Sequence, residues 1–496
     1  MKNKFYVTTS IFYVNSVPHI GSALEMVQAD VLARYHRQLG ENVFFLTGTD
    51  EHGIKIVRTA EEKKKSVQEL VDKNTQKFKD LTKILNISND DFIRTSDKKR
   101  HWPAVKKIWR ILDEKGDIYK GKYSGLYCVG CEAYLSKSDL VDGKCPFHQK
   151  KPEIIKEENY FFKLSKYAPE IKKIIEKDEL VIIPQTRKKE VLGLIKQGVK
   201  DISVSRPKES LLWGVPAPDD DSQICYVWFE ALINYISALG YGGDEKNFER
   251  YWPADIHCIG KDILRFHTLL WPAMLLSVGL PLPKKVFVHG YLTSKGQKMS
   301  KSVGNVVDPF DVIEKHGSET TRYFLLREFS STEDGDFSIE RLKERYNSDL
   351  ANGLGNLVSR VLTLAEKTDA AASAFLSLRG VRSGERRGNL VDSSIALSIK
   401  LTRENYKKAF EDIKFNEALE AVWKLISACD EYIEKNKPWE LRKNNEKKFN
   451  EVISDMLVSI GEIADLLKPF MPDTAEKILE QIKQNKKSEA LFPRIN

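Results

Sequence analysis

Two short segments, far apart in the chain, carry residues that could bind the phosphates of a nucleotide. Pro-His-Ile-Gly-Ser, residues 18–22, stands where an extended run gives way to a helical run. Unpaired backbone N–H groups and the helix dipole favour an anion at a helix start, and His19 adds an imidazole there. Lys-Met-Ser-Lys-Ser, residues 298–302, follows a glycine turn and offers two ammonium groups. Together the two segments predict one ATP site.

A second group of residues has the spacing of a metal centre. Cys128 and Cys131 are separated by two residues, and Cys145 and His148 follow with the same spacing. Three thiolates and one imidazole in two tight turns suit tetrahedral zinc. Because protein fills all four positions, the set predicts a structural zinc rather than a catalytic one. Two disulfides are excluded, since three cysteines cannot form them.

Polar residues also stand where apolar strands end. In an open α/β sheet, ligands bind at the carboxyl ends of the strands. The residues in such places are Tyr13, His19, Asp50, His52, Gly260, Lys261 and Asp262. Asp50 directly follows the apolar run 43–48, where it can either cap the next helix or receive the ammonium group of a ligand.

Two further segments place aromatic side chains at helical spacing. Trp228 and Tyr235 share one register, and His267 and Trp271 lie one turn apart. Residues in this pattern usually belong to the core. Because several come from two segments next to the same sheet, they also fit an apolar pocket with polar tips. The sulfur of a thioether would pack well against the ring edges of such a pocket.

The hydrophobic pattern predicts the scaffold that must position these residues. Apolar runs at 5–10, 43–48, 256–260 and 286–291 have the composition of buried strands, with helical spacing between them. They predict an α/β fold with a doubly wound, Rossmann-like parallel sheet. The predicted domains are the first half of this domain at 1–117, an insertion with the zinc knuckle at 118–222, the second half with the lysine loop at 223–335, and an all-α helical bundle at 336–496. Within the bundle, residues 370–394 are predicted to form a loop.

Length, charge and cysteine usage limit the class of protein. The chain has 496 residues, a net charge of +8 and six cysteines. That length predicts two to four domains, and the charge is compatible with a polyanionic partner without requiring one. No apolar run suits a signal peptide or a membrane span, so we expect a cytoplasmic protein without membrane contact. Outside the knuckle, Cys225, Cys258 and Cys429 are expected to be buried thiols.

The chain resembles the methionyl-tRNA synthetases, a family of class I aminoacyl-tRNA synthetases, over essentially its entire length. The likeness is to the bacterial form with a single zinc knuckle. The two phosphate segments and the knuckle carry part of the resemblance. The other segments that carry it are residues 7–9, 13–15, 48–53, 159–162, 226–231, 259–263 and 304–309.

The resemblance implies roles for single residues. Asp50 would receive the methionine ammonium, and the helical part would be a stem with an anticodon-binding domain. The side-chain pocket would be formed by Ile11, Tyr13, Trp228, Ala231, Leu232, Tyr235, Ile263, Phe266, His267 and Trp271. The residues that meet ATP would be His19, Gly21, Gly260, Asp262, Lys298, Ser300 and Lys301, and the catalytic residues His19, Gly21, Ser22, Lys298 and Lys301. The anticodon would be read by Asn356, Arg360 and Trp439, the last of which could instead be buried in the bundle.

One position departs from the pattern of the family. Its first motif normally ends in a second histidine, and Ser22 stands there in this chain. A hydroxyl can donate a hydrogen bond but cannot carry a charge. We therefore expect weaker stabilisation of the charge that develops on the phosphate, by about 1–3 kcal/mol.

The reaction implied by the resemblance is a two-step attachment of methionine to tRNA(Met), with ATP and Mg²⁺, through a methionyl-adenylate. Two alternatives remain at this point: a class I synthetase for another amino acid, such as cysteine or leucine, and a catalytically inactive relative that binds tRNA. The chain ends directly after the helices, without the β-barrel through which some relatives dimerise, so we expect a monomer.

Overall fold

The computed structural model describes residues 3–135, 137–146, 149–299, 304–366, 368, 393–486 and 489–495. The chain forms two compact units, Met1–Tyr291 and Leu292–Asn496. Most of the loop predicted at 370–394 lies outside the described residues, as does most of the lysine segment.

Strands and helices alternate in the first unit, and helices dominate the second. The strands are β1 (Lys4–Tyr13), β2 (Asn42–Asp50), β3 (Asp91–Arg94), β4 (Ile118–Cys128), β5 (Ala133–Leu135), β6 (Glu153–Phe162), β7 (Val181–Ile183), β8 (Ile202–Ser203), β9 (Ser205–Pro207), β10 (Gln223–Cys225), β11 (Ile256–Gly260), β12 (Lys285–His289), β13 (Leu292–Ser294), β14 (Gln297–Lys298) and β15 (Gly335–Phe337). The α-helices of the first unit are α1 (Ile20–Gln38), α2 (Ile54–Glu62), α3 (Val67–Ile84), α4 (Trp102–Glu114), α5 (Leu164–Glu176), α6 (Gln185–Gln197), α7 (Val227–Leu232), α8 (Asn234–Ser237), α9 (Lys246–Tyr251) and α10 (Trp271–Val278). Those of the second are α11 (Pro309–His316), α12 (Ser318–Arg327), α13 (Ile339–Arg345), α14 (Asn356–Ala365), α15 (Ser393–Glu411), α16 (Phe415–Asn436), α17 (Pro438–Asn444), α18 (Glu446–Leu467) and α19 (Pro472–Gln484).

The first unit is built on a six-stranded sheet in the order β3-β2-β1-β11-β12-β7. All of its pairings are parallel, which confirms the predicted doubly wound fold. The strand order reverses at β1, because β2 lies on one side of it and the much later β11 on the other. In β1 and β2 the apolar residues are buried on both faces, as expected for a parallel sheet covered by helices.

The insertion contains an antiparallel sheet in the order β5-β4-β6-β8. One strand from inside the predicted insertion, β7, instead pairs with β12 at the edge of the central sheet. The boundary at 118–222 therefore does not separate a continuous insertion from the sheet. Three residues are too few for the alternation of a strand to be recognised in the sequence.

Among its described residues, the second unit contains a small sheet in the order β14-β13-β15, the nine α-helices α11 to α19 and a π-helix, Tyr346–Gly355. Its core includes the fully buried Arg322, whose guanidinium donates to the backbone oxygens of Phe470 at 2.8 Å and Pro469 at 3.0 Å. In the parts of the chain that the structure describes, no helix is both long and apolar enough to cross a membrane.

Candidate active site and metal centre

The carboxyl ends of β1 and β2 meet beside the point where the strand order reverses. Tyr13 and Asp50 are direct partners in the register of these strands. On the other side of β1, the end of β11 at Gly260 pairs with His289 of β12. This is the edge of an open sheet where a ligand is expected.

Asp50 is a buried carboxylate with little compensation from protein. Its side chain accepts a hydrogen bond of 3.4 Å from the backbone N–H of His52, which is long for such a bond. It pairs with no lysine, arginine or histidine that the structure describes. Burial, and then the nearby Glu230 carboxylate, raise the pKa of Asp50 well above its ordinary value. The site therefore favours a cation beside Asp50.

Behind Asp50, two histidines surround the fully buried Glu230 of α7. His52 Nδ1 lies 2.9 Å from Glu230 Oε1, and His101 Nε2 lies 2.7 Å from Glu230 Oε2. His101 Nδ1 continues the chain to the Ser237 hydroxyl at 2.9 Å. Burial alone would raise the pKa of Glu230, but the two histidines outweigh it and lower that pKa. The chain of hydrogen bonds ties the turn after β2 to α7 and α4.

Glu230 and His101 were not predicted from the sequence as members of this site. Their partners come from other elements, 178 and 129 positions apart in the two contacts. A glutamate in the aromatic segment of α7 was the available signal, but a single charged residue on a helix is usually solvated.

An aromatic wall stands next to these carboxylates. The Trp228 and Phe266 rings are stacked, with centroids 4.2 Å apart and planes 5° from parallel. Tyr235 Oη lies 2.7 Å from His267 Nε2, and His267 Nδ1 lies 3.1 Å from the Ile263 carbonyl. Because a carbonyl only accepts, Nδ1 carries the hydrogen and Nε2 accepts from the Tyr235 hydroxyl. Burial lowers the pKa of His267 to about 4, so the imidazole is neutral at pH 7.

Most of the predicted pocket residues share one hydrophobic cluster. Those within or packed against it are Ile11, Tyr13, Trp228, Leu232, Tyr235, Ile263, Phe266 and Trp271. Ala231 is also buried, and in the sequence of α7 it stands between Trp228 and Leu232. His267 lies in a π-helical turn, Phe266–Leu270, directly before α10. The buried Trp271 Nε1 has no hydrogen-bond partner among the described residues, so a weak acceptor could be accommodated there.

The first phosphate segment forms the start of α1, with His19 as its N-cap. His19 Nδ1 accepts hydrogen bonds from the backbone N–H groups of Gly21 at 3.1 Å and Ser22 at 3.3 Å. These two N–H groups are therefore already satisfied, which differs from the expectation that they would be unpaired. A Cβ atom at position 21 would lie 2.9 Å from Cε1 of His19, so glycine leaves room for the imidazole to cap the helix. The hydrogen of a neutral imidazole is then on Nε2, where it can be donated to an anion.

A buried contact between a carboxylate and a histidine holds α1 against the sheet. Glu25 accepts from the Ser10 backbone at 2.7 Å and lies 3.0 Å from His289 Nε2 at the end of β12. Burial would lower the pKa of His289, but Glu25 outweighs it and raises that pKa.

The remaining residues predicted to bind ATP are only partly described. Gly260 ends β11, and the Asp262 N–H donates to the Tyr291 hydroxyl at 3.0 Å. The side chain of Lys298, and all of Ser300 and Lys301, lie outside the residues that the structure describes.

Three of the four predicted metal ligands are brought together. The sulfur atoms of Cys128, Cys131 and Cys145 all lie within 4.8 Å of one another, and those of Cys131 and Cys145 are 3.4 Å apart. Two thiolates on one tetrahedral zinc are about 3.8 Å apart, so the set fits such an ion. The hydrogen bond between Cys131 and Cys128, burial and the neighbouring Cys145 all raise the pKa of the Cys131 thiol. His148 lies outside the described residues.

The predicted anticodon residues belong to the second unit. Asn356 begins α14, and Arg360, one turn later, forms ion pairs with Asp430 at 3.5 Å and Glu434 at 2.6 Å. Trp439 lies in α17 and is 43% exposed, so it is not the buried tryptophan of the alternative interpretation. The helix before it ends at Asn436, as the proline at 438 predicts.

Two family descriptions match this chain. The first, "tRNA synthetases class I (M)", covers residues 5–151 and 135–362. The second, "Anticodon-binding domain of tRNA ligase", covers residues 392–494.

Curated relatives are similar over nearly the whole chain. The methionine–tRNA ligase of Thermotoga maritima is 43% identical over 484 residues, which are 97% of this chain and 75% of the relative. That of Caldanaerobacter subterraneus subsp. tengcongensis is 45% identical over 97% of this chain and 74% of its own length. That of Brucella suis is 41% identical over 97% of this chain and 92% of its own length.

A solved structure has the same fold. The methionyl-tRNA synthetase of Mycobacterium tuberculosis in complex with methionyl-adenylate matches with a TM-score of 0.89 and 36% identity, over 100% of both chains.

Proposed function

The chain belongs to the family of methionine–tRNA ligases, and we propose that it attaches methionine to tRNA(Met) through a methionyl-adenylate. The observation that carries this proposal is Asp50: a buried carboxylate with one long hydrogen bond, next to a neutral aromatic wall. An amino acid with a cationic ammonium and an uncharged side chain complements both features.

In the first step, a methionine carboxylate oxygen attacks the α-phosphorus of ATP. The bond between that phosphorus and the bridging oxygen breaks, and pyrophosphate leaves. In the second step, a ribose hydroxyl of the terminal adenosine of the tRNA attacks the activated carbonyl, and AMP leaves. The protein contributes mainly by positioning the reactants and neutralising charge.

Single residues have distinct tasks in this scheme. Asp50 holds the methionine ammonium, and the stacked rings of Trp228 and Phe266 face the thioether. His19 donates through Nε2 to the triphosphate, and Lys298 and Lys301 neutralise the departing pyrophosphate. Gly260, Asp262 and Ser300 complete the ATP site. His267, held neutral, adds no charge to a pocket that must accept an uncharged side chain.

Two metal ions belong to the proposal. Zn²⁺ would be held by Cys128, Cys131, Cys145 and His148, where it fixes the knuckle and takes no part in the chemistry. Mg²⁺ would enter with ATP and offset the charge of its phosphates. Asn356, Arg360 and Trp439 would contact the anticodon. We also place the protein in the cytoplasm, where the buried thiols of Cys225, Cys258 and Cys429 would stay reduced.

The test is ATP–pyrophosphate exchange by the purified protein with each of the twenty amino acids. We expect methionine to support exchange at a far higher kcat/KM than leucine or cysteine. Exchange that depends on another amino acid would identify a different class I synthetase. Binding of tRNA(Met) without any exchange would identify an inactive relative.

A further inference from the structure

The carboxylate of Glu132 links the metal-binding knuckle to the proposed methionine pocket. Glu132 directly follows Cys131 and is 4% exposed. Its Oε1 accepts from the Tyr13 hydroxyl at 3.0 Å and from the Lys55 backbone N–H at 2.6 Å. The Tyr127 hydroxyl donates to its other oxygen. The carboxylate is thus satisfied by donors from three separate elements, and one of them is a wall of the pocket.

The backbone of the same turn receives further hydrogen bonds from the pocket side. Trp228 Nε1 donates to the Cys131 carbonyl at 3.1 Å, and Lys55 Nζ donates to the Gly130 carbonyl at 3.3 Å. The Tyr226 hydroxyl donates to the Glu132 carbonyl. Two aromatic side chains proposed to line the methionine pocket, Tyr13 and Trp228, are therefore held by two consecutive residues of the knuckle.

The turn itself has one defined conformation. Glu132 adopts a φ of +51°, in the left-handed region that an L-residue enters at a cost. Cys128 and Ala133 on either side are register partners in the hairpin of β4 and β5. A residue with a short polar side chain, or glycine, would adopt this φ more readily than glutamate. The conformation of the turn therefore does not explain why a glutamate stands at this position.

We propose that Glu132 is a positioning residue for the amino acid substrate. By accepting from Tyr13 Oη, it fixes the phenol ring in the orientation that closes the pocket over the methionine side chain. This inference rests on the proposed function and deepens it. A residue that only docked the insertion onto the sheet would affect stability and both substrates alike, whereas a positioning residue acts on methionine through Tyr13.

The experiment is a double-mutant cycle read by exchange kinetics. Glu132→Ala is expected to raise KM for methionine about tenfold, as for the loss of one charge-assisted hydrogen bond, with KM for ATP within twofold of wild type. Glu132→Gln keeps an oxygen acceptor and is expected to raise KM for methionine less than Glu132→Ala does. Because Glu132 acts through the phenol hydroxyl, Tyr13→Phe combined with Glu132→Ala should raise KM no further than the larger single change.

The control is Glu153→Gln on the neighbouring strand of the insertion. Glu153 is 48% exposed, and its partner is Arg58 at 2.7 Å rather than Tyr13, so the KM of this variant for methionine should equal that of wild type. Zinc content is measured for every variant. If Glu132→Ala loses the metal, the test rests on Glu132→Gln, provided that this variant keeps its full zinc content. An unchanged KM for methionine in Glu132→Gln would then overturn the inference.

The possible failures can be told apart. Additive effects of the Glu132 and Tyr13 changes, or equal increases in KM for methionine and ATP, would overturn the positioning role alone. A wild-type protein that shows no methionine-dependent exchange would overturn the proposed function.

Discussion

Asp50 shows how one buried group can serve binding at the expense of stability. The other carboxylates near it have strong partners: Glu230 has two histidines, and Glu51 accepts from Arg94 Nε at 2.7 Å and Thr75 Oγ1 at 2.6 Å. Asp50 has the long bond from His52. An ionised carboxylate in such surroundings destabilises the free protein, and the ammonium group of the proposed substrate would offset that cost.

Asp50→Asn is therefore expected to change activity and stability in opposite directions. Loss of one partner of a buried ion pair costs about 3–5 kcal/mol, so kcat/KM for methionine should fall about a hundredfold to a few thousandfold. Because the pKa of Asp50 is raised in the folded state, its contribution to stability decreases as pH rises from its unfolded pKa through its folded pKa. The asparagine variant should then have a higher Tm than wild type at pH 7. A lower Tm with normal methionine kinetics would contradict this account.

The same shift predicts a pH dependence of substrate binding. Asp50 must be ionised to hold the ammonium, and its raised pKa means that protonation begins above the usual range of a carboxyl group. For wild type, kcat/KM for methionine should fall with decreasing pH at a point above that range, whereas KM for ATP should not follow it. A profile that is flat down to the ordinary carboxyl range would contradict the assignment.

At the scale of elements, the turn between β2 and α2 holds the pocket together. Gly53 has a φ of +106°, and a Cβ there would overlap the Tyr13 hydroxyl and lie 2.9 Å from Glu132 Oε1. The turn thus needs glycine for its backbone and for the close approach of the two side chains. The strand end, the turn and the knuckle form one packed arrangement beside the proposed methionine pocket.

Gly53→Ala tests this arrangement, with Gly40→Ala as its control. Gly40 also has a positive φ, +81°, but a Cβ there would meet nothing within 4 Å. Both alanines would have a strained backbone, but only the one at position 53 would also overlap neighbouring side chains. The free energy of unfolding of Gly53→Ala, measured in denaturant, should therefore be lower than that of Gly40→Ala by about 1–3 kcal/mol. It should also raise KM for methionine. Equal losses in the two variants would show that the side-chain contacts are unimportant.

The knuckle makes a separate prediction about metal. Cys145→Ser should lower the zinc content from about one ion per chain to nearly none, and should lower the Tm, because a structural site needs all its ligands. Cys225→Ser replaces a buried thiol outside the knuckle and should leave the zinc content unchanged. Full zinc occupancy in Cys145→Ser, measured by elemental analysis, would remove Cys145 from the site.

At the scale of the whole molecule, activation of methionine is assigned to the first unit and the lysine segment 298–302, and recognition of the anticodon to the helices of the second unit. Trp439 is the exposed aromatic residue of α17, and stacking of an anticodon base on it is worth about 1–3 kcal/mol. Trp439→Ala should lower kcat/KM for aminoacylation of tRNA(Met) about 5- to 150-fold and leave pyrophosphate exchange unchanged. Leu397→Ala, at a side chain that is 55% exposed in the same unit, should change neither. A loss of exchange in Trp439→Ala would contradict the division of tasks.

How much the sequence could predict depends on how local the signal was. The strands β1, β2, β11 and β12 were predictable because their apolar runs are continuous, and the cysteine cluster because its spacing is short. Glu132 was not predictable, since its partner Tyr13 is 119 positions away and only packing brings the two together. The capping of the first turn of α1 by His19 was also missed, because it depends on the side-chain conformation.

The most direct measurement isolates the intermediate and follows its fate. The protein is incubated with radioactive methionine, ATP and Mg²⁺, the bound adenylate is separated from free substrates by gel filtration, and tRNA(Met) is added. We expect labelled methionine to stay with the protein and to pass to the tRNA in a single turnover. Failure to retain label, or retained label that tRNA(Met) does not accept, would contradict it.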